Sequence, residues 1–247
     1  MPVFKDTTAI VTGGTSGIGQ EVALALARDG ANVVVVGRNQ ARIDATLETL
    51  RTLHAPHAPH DALGLSLDVS REEDMQAMAD RTLEQFGRID ILIHCAASAG
   101  ERGMPYTVAQ MPVEDWDAGI AINLKGVFFS NRAVLPAMIA QRSGDIINVS
   151  SARGGVRGLP CAAAYAAAKH GVMGLTASLA EEVRRHGVRV QVVLPDVTET
   201  PLMQVVGDLA PQGMLKPRTV GEFIVDMIRQ PRDSHLIEPW ICPFATT

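Results

Sequence analysis

Cysteine is scarce in this chain. Cys95, Cys161 and Cys242 are the three among 247 residues. They are too few and too scattered for a disulfide framework or a paired-cysteine metal site, and this suits a reducing compartment such as the cytoplasm. There is no basic excess either. Lys and Arg number 22 against 27 Asp and Glu, a net charge of -5, so the electrostatic footprint of a nucleic-acid binder is missing. No uninterrupted apolar stretch approaches the length of a membrane span. The opening MPVFKDTTAI carries Lys5 and Asp6, which interrupts any secretory apolar core. No linker, repeat or change of composition divides the chain, so residues 1–247 read as a single domain.

What is present is an alternation of two patterns. Short apolar runs at 7–12, 32–36, 62–67, 89–94, 145–150 and 189–194 predict strands. Amphipathic stretches at 17–29, 39–53, 71–86, 113–141, 163–186 and 217–230 predict helices between them. Val33 to Val36 shows no polar alternation, as expected of a parallel strand covered on both faces. Gly30, Gly87, Gly144 and Gly187 stand where four helices need a left-handed terminator. The segment HLIEPWICPF near the end reads as a last strand. Together these predict an α/β chain built on a doubly wound, mostly parallel seven-stranded sheet with helices on both faces. The HAPHAPH segment at 54–60 offers three histidines, but Pro56, Pro59 and its place between elements favour an exposed loop over a metal tract. No metal site is expected.

The first predicted strand runs into Thr12-Gly13-Gly14-Thr15-Ser16-Gly17-Ile18-Gly19 and a helix follows. Glycines there permit a sharp turn and let a pyrophosphate approach free N–H groups at the helix N-terminus. The second strand ends at Gly37-Arg38 with no acidic residue at 36–39. A ribose-binding acid is therefore absent, and Arg38 offers a planar fork suited to a 2′-phosphate. That favours NADP(H) over NAD(H), the alternative being a solvated Arg38; Arg42 reads as solvated.

Tyr165 and Lys169 lie four apart in AAAYAAAKHG, a predicted helix, and so share one face. An ammonium beside a phenol stabilises phenolate and brings Tyr165 down from about 10 toward the range of a general acid/base. Upstream, Ser150 and Ser151 end a strand and Asn123 sits in INLKG within a helical stretch.

The combination of TGGTSGIG (12–19), Leu67-Asp68-Val69, Asn123 in NLKG, NVSS (148–151), Tyr165 with Lys169, and Pro195 through Thr200-Pro201 resembles the short-chain dehydrogenase/reductase family over nearly the whole chain. The resemblance implies a Rossmann-type fold and a carbonyl–alcohol oxidoreductase. Gly13, Thr15, Ser16, Gly17, Ile18, Gly19 and Arg38 would meet the cofactor phosphates. Asp68 and Val69 would hold the adenine, Tyr165 and Lys169 the nicotinamide ribose, and Pro195, Thr198 and Thr200 the carboxamide end. Ser151 would bond the substrate oxygen, and Asn123 would support a water path to Lys169. The family's Asn-Asn-Ala-Gly after the fourth strand is here His94-Cys95-Ala96-Ala97, where Cys95, Ala96 and Ala97 would contribute main-chain groups. Its Pro-Gly after the sixth strand is Pro195-Asp196. Ser151 lies one residue farther from Tyr165 than the usual spacing.

Residues 152–161 and 202–216 are expected to close a pocket for a small carbonyl or alcohol substrate. Met203, Val205, Val206, Leu209, Met214 and Leu215 supply an apolar lid, or in part pack on the core. Arg153 and Arg157 either bind an anionic substrate or are solvated or engaged in subunit contacts. The family implies a homotetramer or homodimer. A 3-oxoacyl-carrier-protein reductase is one alternative, against which the glycine-poor C-terminus counts. A non-catalytic cofactor sensor or scaffold is another, against which the retained Asn123, Ser151, Tyr165 and Lys169 count.

Overall fold

Val33 to Val36 form the middle of strand β2 (Asn32–Gly37) and are fully buried. The computed structural model describes residues 3–53, 61–100, 106–157, 160–204 and 213–243. Strand β2 lies between β1 (Thr8–Thr12) and β3 (Ala62–Ser66). On the far side of β1 follow β4 (Ile91–His94), β5 (Gly144–Val149), β6 (Val188–Pro195) and the short β7 (Trp240–Ile241). The order is β3-β2-β1-β4-β5-β6-β7, and every pair is parallel.

Alternate residues of each strand feed opposite cores. Ala9, Val11, Val33, Val35 and Ile93 pack toward α1 (Gly17–Arg28), α2 (Gln40–Thr52) and α7 (Pro217–Arg229), through Val22, Leu26, Leu50 and Ile224. Ile10, Val34, Leu92 and Ile146 pack toward α3 (Glu72–Phe86), α5 (Gly126–Gln141) and α6 (Ala163–Val183), through Met75, Met78, Met138 and Leu179. This is the doubly wound Rossmann-type arrangement, and both faces of the sheet are covered.

Two expectations need correction. The single helix expected over 113–141 is broken: α4 (Val113–Ile120) passes through a π-helical turn at Ala121–Lys125 before α5 begins. Such a turn inserts one extra residue and re-aims a side chain, commonly at a functional site; here the re-aimed residue is Asn123. Gly144 does not terminate α5. The left-handed cap is Arg142, at φ 53°, and Gly144 opens β5. Its need for glycine is steric, because a Cβ there would lie 2.6 Å from the Met138 sulfur. Gly30, Gly87 and Gly187 do adopt positive φ. Residues 54–60, and Val205, Val206 and Leu209 of the expected lid, lie outside the described residues.

Candidate active site

The strand order reverses between β2 and β4 about β1, and a parallel sheet opens a crevice at the carboxyl ends of its strands at such a point. A cleft of about 1190 Å³ lies there, lined from Gly13 to Met203 by every residue expected to hold the cofactor and by Ser151, but not by Asn123. One end is made by backbone and the other by side chains.

At the backbone end the glycines are required by close approach. Gly13 has φ +68°, and a Cβ there would lie 2.8 Å from the Ala96 backbone. Gly19 allows α1 to sit on the turn, since a Cβ would fall 2.3 Å from the Gly13 carbonyl oxygen. Gly17, at φ +54°, faces the Thr200 side chain. Ser16 precedes α1 in extended conformation without a side-chain cap, and no acid occupies the first turn. Free N–H groups and the dipole of α1 therefore face the cleft, which fits a pyrophosphate.

Beside it, Gly37 is fixed by Thr15, whose Cγ2 would stand 2.9 Å from a Cβ on that glycine. The packing thus explains why no side chain, acidic or other, projects from position 37. Arg38 is 70% exposed at its side chain and stands 4.0 Å from Asp68. Asp68 accepts hydrogen bonds from the Ser70 N–H and hydroxyl at 2.9 and 2.7 Å. Burial pushes its carboxyl up, but the Ser70 bonds and the Arg38 charge outweigh this and hold it below its ordinary range. Val69 packs against Gly126, where a Cβ would leave 3.0 Å to Val69 Cγ2. Arg42, in the first turn of α2, is exposed as expected and also lines the cleft.

At the side-chain end, Lys169 is buried and its ammonium donates to the Val149 carbonyl at 2.7 Å. Its Nζ stands 5.7 Å from the centre of the Tyr165 ring, and burial lowers its pKa to about 8. Tyr165 does not show the lowered pKa expected of it. Burial raises the phenol above its ordinary value, and the adjoining Ser151 hydroxyl offsets this only in part. The physical reason is desolvation of the phenol; the Lys169 ammonium donates to the Val149 carbonyl.

The two serines follow the end of β5 and diverge. Ser150 is buried and donates to the Lys169 carbonyl at 2.9 Å. Ser151 stands against Tyr165 and accepts the Gly154 N–H at 3.1 Å. Gly154 belongs to a π-helical turn at Arg153–Arg157 that was not foreseen in the sequence. The turn lies so close over Tyr165 and Ser150 that a Cβ on Gly154 would fall 2.5 Å from Tyr165 Cε1, and one on Gly155 would fall 2.7 Å from Ser150 Oγ. Arg153 is ion-paired to Asp196 at 2.8 Å; the side chain of Arg157 lies outside the described residues.

Asn123 is fully buried behind the cleft. Its amide nitrogen donates to the carbonyls of Ser98 and Gly119, both at 2.9 Å, and its oxygen accepts the Ser98 N–H at 3.0 Å. Cys95 packs with the core under α1, and burial pushes its thiol up to about 12. His94 is buried with Nδ1 2.8 Å from the Ser130 hydroxyl, and burial, then the nearby Lys169 charge, lowers it to about 3. Pro195 ends β6; Thr198 is buried, donates to the Asp196 carbonyl at 2.9 Å and bridges to Leu215, which packs on the core rather than serving as a lid. Among the described residues no helix is long and apolar enough to cross a membrane.

This geometry has close counterparts. An uncharacterized oxidoreductase of Staphylococcus saprophyticus is 31% identical over 243 residues, 98% of this chain and 100% of the relative. A 3-oxoacyl-[acyl-carrier-protein] reductase of Thermotoga maritima is 33% identical over 227 residues, 89% of this chain and 85% of the relative. The crystal structure of a metagenomic short-chain oxidoreductase in complex with NADP superposes with a TM-score of 0.83 at 31% identity, over 99% of this chain and 100% of the other. The short chain dehydrogenase family model matches residues 7–209. A glycine turn under a parallel sheet and a Ser-Tyr-Lys group at the other end of the same cleft agree with that match: this chain belongs to the short-chain dehydrogenase family of oxidoreductases.

Proposed function

We propose that the protein is an NADP(H)-dependent oxidoreductase that interconverts a carbonyl and an alcohol, with Tyr165 as proton donor and acceptor. The observation that carries this reading is the meeting of Ser151, Tyr165 and Lys169 in the cleft whose other end is the glycine turn. When bound, the nicotinamide supplies or takes up the hydride. The N-terminus of α1 holds the pyrophosphate. Arg38 and Arg42 bracket a 2′-phosphate while Gly37 presents no acid to repel it. Ser151 donates to the substrate oxygen and fixes it beside the Tyr165 hydroxyl, which gives the proton to that oxygen during reduction and removes it during oxidation.

Lys169 bonds the cofactor ribose and keeps a positive charge near the phenol. Asn123 acts by position, because both of its amide hydrogens are engaged: it ties the loop after β4 to the π-helical turn and keeps the floor of the cleft in place. One domain carries all of this, since the cofactor and proton-transfer ends share one sheet. We further infer a homotetramer or homodimer; Trp116 and Phe128 on α4 and α5 are exposed large apolar groups available for such contacts.

The test is oxidation of NADPH against a panel of aldehydes and ketones, in parallel with NADH. Turnover with NADPH preferred supports the reading. Stoichiometric cofactor binding without turnover favours a non-catalytic sensor instead. The Thermotoga relative supports a second reading, 3-oxoacyl-thioester reduction; a kcat/KM for a 3-oxoacyl thioester far above that of simple ketones selects it.

A further inference from the structure

Arg38 and Asp68 face each other at one end of the cleft; beside Ser151 and Tyr165 lies a second charged pair that the proton-transfer chemistry does not use. Arg153 follows Ser151 by two residues, and Asp196 stands where the family has glycine after β6. Both line the cleft with Ser151 and Tyr165. Arg153 Nε donates to Asp196 Oδ1 at 2.8 Å, and the same oxygen accepts the Val197 N–H at 2.7 Å. The Asp196 side chain is 13% exposed and the Arg153 side chain 44%. The pair thus lies along one wall of the cleft, where the Ala152 N–H also donates to the Pro195 carbonyl at 3.0 Å, and joins the turn over Tyr165 to the segment leading to Thr198.

Half of each group is committed. Among the described residues, Arg153 Nη1 and Nη2 have no partner, and neither has Asp196 Oδ2. What remains is one set of donors beside one acceptor, with no net charge. A substrate carboxylate would gain Arg153 but meet Asp196. A plain hydrocarbon flank would cover polar groups without replacing their bonds to water, which costs binding. A hydroxyl both accepts and donates, and matches the pair as it stands.

We propose that Arg153 and Asp196 select a substrate with a neutral hydroxyl on the carbon next to the reacting carbonyl, so that the reduced product is a vicinal diol. The hydroxyl donates to Asp196 Oδ2 and accepts from an Arg153 Nη–H. This rests on the carbonyl–alcohol reading above and deepens it. The reaction balances as α-hydroxyketone, NADPH and a proton giving vicinal diol and NADP⁺. The carbonyl carbon gains hydrogen with two electrons from the cofactor, and the oxygen gains its proton from Tyr165.

The experiment measures kcat/KM with NADPH for α-hydroxyacetophenone, α-methoxyacetophenone, acetophenone and benzoylformate. A bond to a charged group is lost when the hydroxyl is removed, so the hydroxyketone should exceed acetophenone by about 10-fold or more. The methoxy compound, which cannot donate, should fall to near acetophenone. Arg153→Gln and Asp196→Asn should each bring the hydroxyketone preference near unity, and Asp196→Asn should raise benzoylformate relative to acetophenone by leaving Arg153 uncompensated. Circular dichroism and NADPH fluorescence establish that each variant is folded, and the methoxy comparison in the wild type decides the matter if one is not. Equal turnover of the hydroxy, methoxy and unsubstituted ketones, or a wild-type preference for benzoylformate, overturns the substrate class and leaves the reductase reading standing. No NADPH oxidation with any of the four overturns both.

Discussion

Replacing Gly154 by alanine puts a methyl group directly against the ring of Tyr165, the proposed proton donor. The new Cβ would lie 2.5 Å from Tyr165 Cε1 and 2.8 Å from Cδ1, where ordinary van der Waals contact begins near 3.4 Å. The ring or the turn must therefore move by roughly 1 Å, a displacement that can cost about 10²-fold in rate when it misplaces a reacting group. Overpacking of this kind costs about 1–3 kcal/mol in stability, less than the about 5–15 kcal/mol that holds a typical domain folded. The variant should fold, bind NADPH nearly as the wild type does, and lose about 10²-fold in kcat. The assay is steady-state kinetics with a ketone found by screening, beside NADPH titration by fluorescence and a thermal melt. A folded Gly154→Ala enzyme with wild-type kcat would refute the argument that this turn fixes Tyr165.

Ser151→Ala should lose far more turnover than Ser150→Ala, because Ser151 stands against Tyr165 while Ser150 is bonded to the Lys169 carbonyl; equal or reversed losses in kcat/KM would reassign the substrate-orienting hydroxyl. Arg38→Ala should weaken NADPH by roughly 10–150-fold at low ionic strength and leave NADH nearly unchanged, and kcat/KM for both cofactors measures it; an unchanged NADPH preference would move the 2′-phosphate contact to Arg42. Lys169 titrates at about 8 in the fold against 10.5 for a free lysine, so the unfolded chain binds more protons between those values and stability rises with pH there. Relative to Lys169→Met, the wild type should gain up to about 3 kcal/mol as pH climbs through that window; parallel denaturation curves at every pH would contradict it.

The fold was legible because its signals are local and repeated. Unbroken valines at 33–36 announce a strand buried on both faces, and the strand–helix alternation admits few topologies. The cofactor end was legible because glycines at 13, 17 and 19 are demanded by backbone geometry, which leaves a mark in sequence. Less could be read where three-dimensional packing decides. The π-helical turns at 121–125 and 153–157 have no periodic signature; only their placement of Asn123 and Gly154 reveals them. The spacing of Tyr165 and Lys169 put both on one face, but the burial of Lys169 beside a half-buried Tyr165, and the Val149 carbonyl that takes the ammonium, depend on β5 lying beneath α6. Gly144 was misjudged for a similar reason: the Met138 side chain, not backbone conformation, demands glycine there. The ion pair of Arg153 and Asp196 joins residues separated by 43 positions and could not be foreseen from either.

Tyr165→Phe removes one hydroxyl and leaves the ring that Gly154 and Lys169 surround. Positioned acids contribute about 10²–10⁴-fold, so NADPH oxidation with the best ketone substrate should fall by that factor while NADPH affinity and the thermal melt stay close to wild type. Retention of near-normal turnover by a folded Tyr165→Phe protein would contradict the assignment of proton transfer to Tyr165.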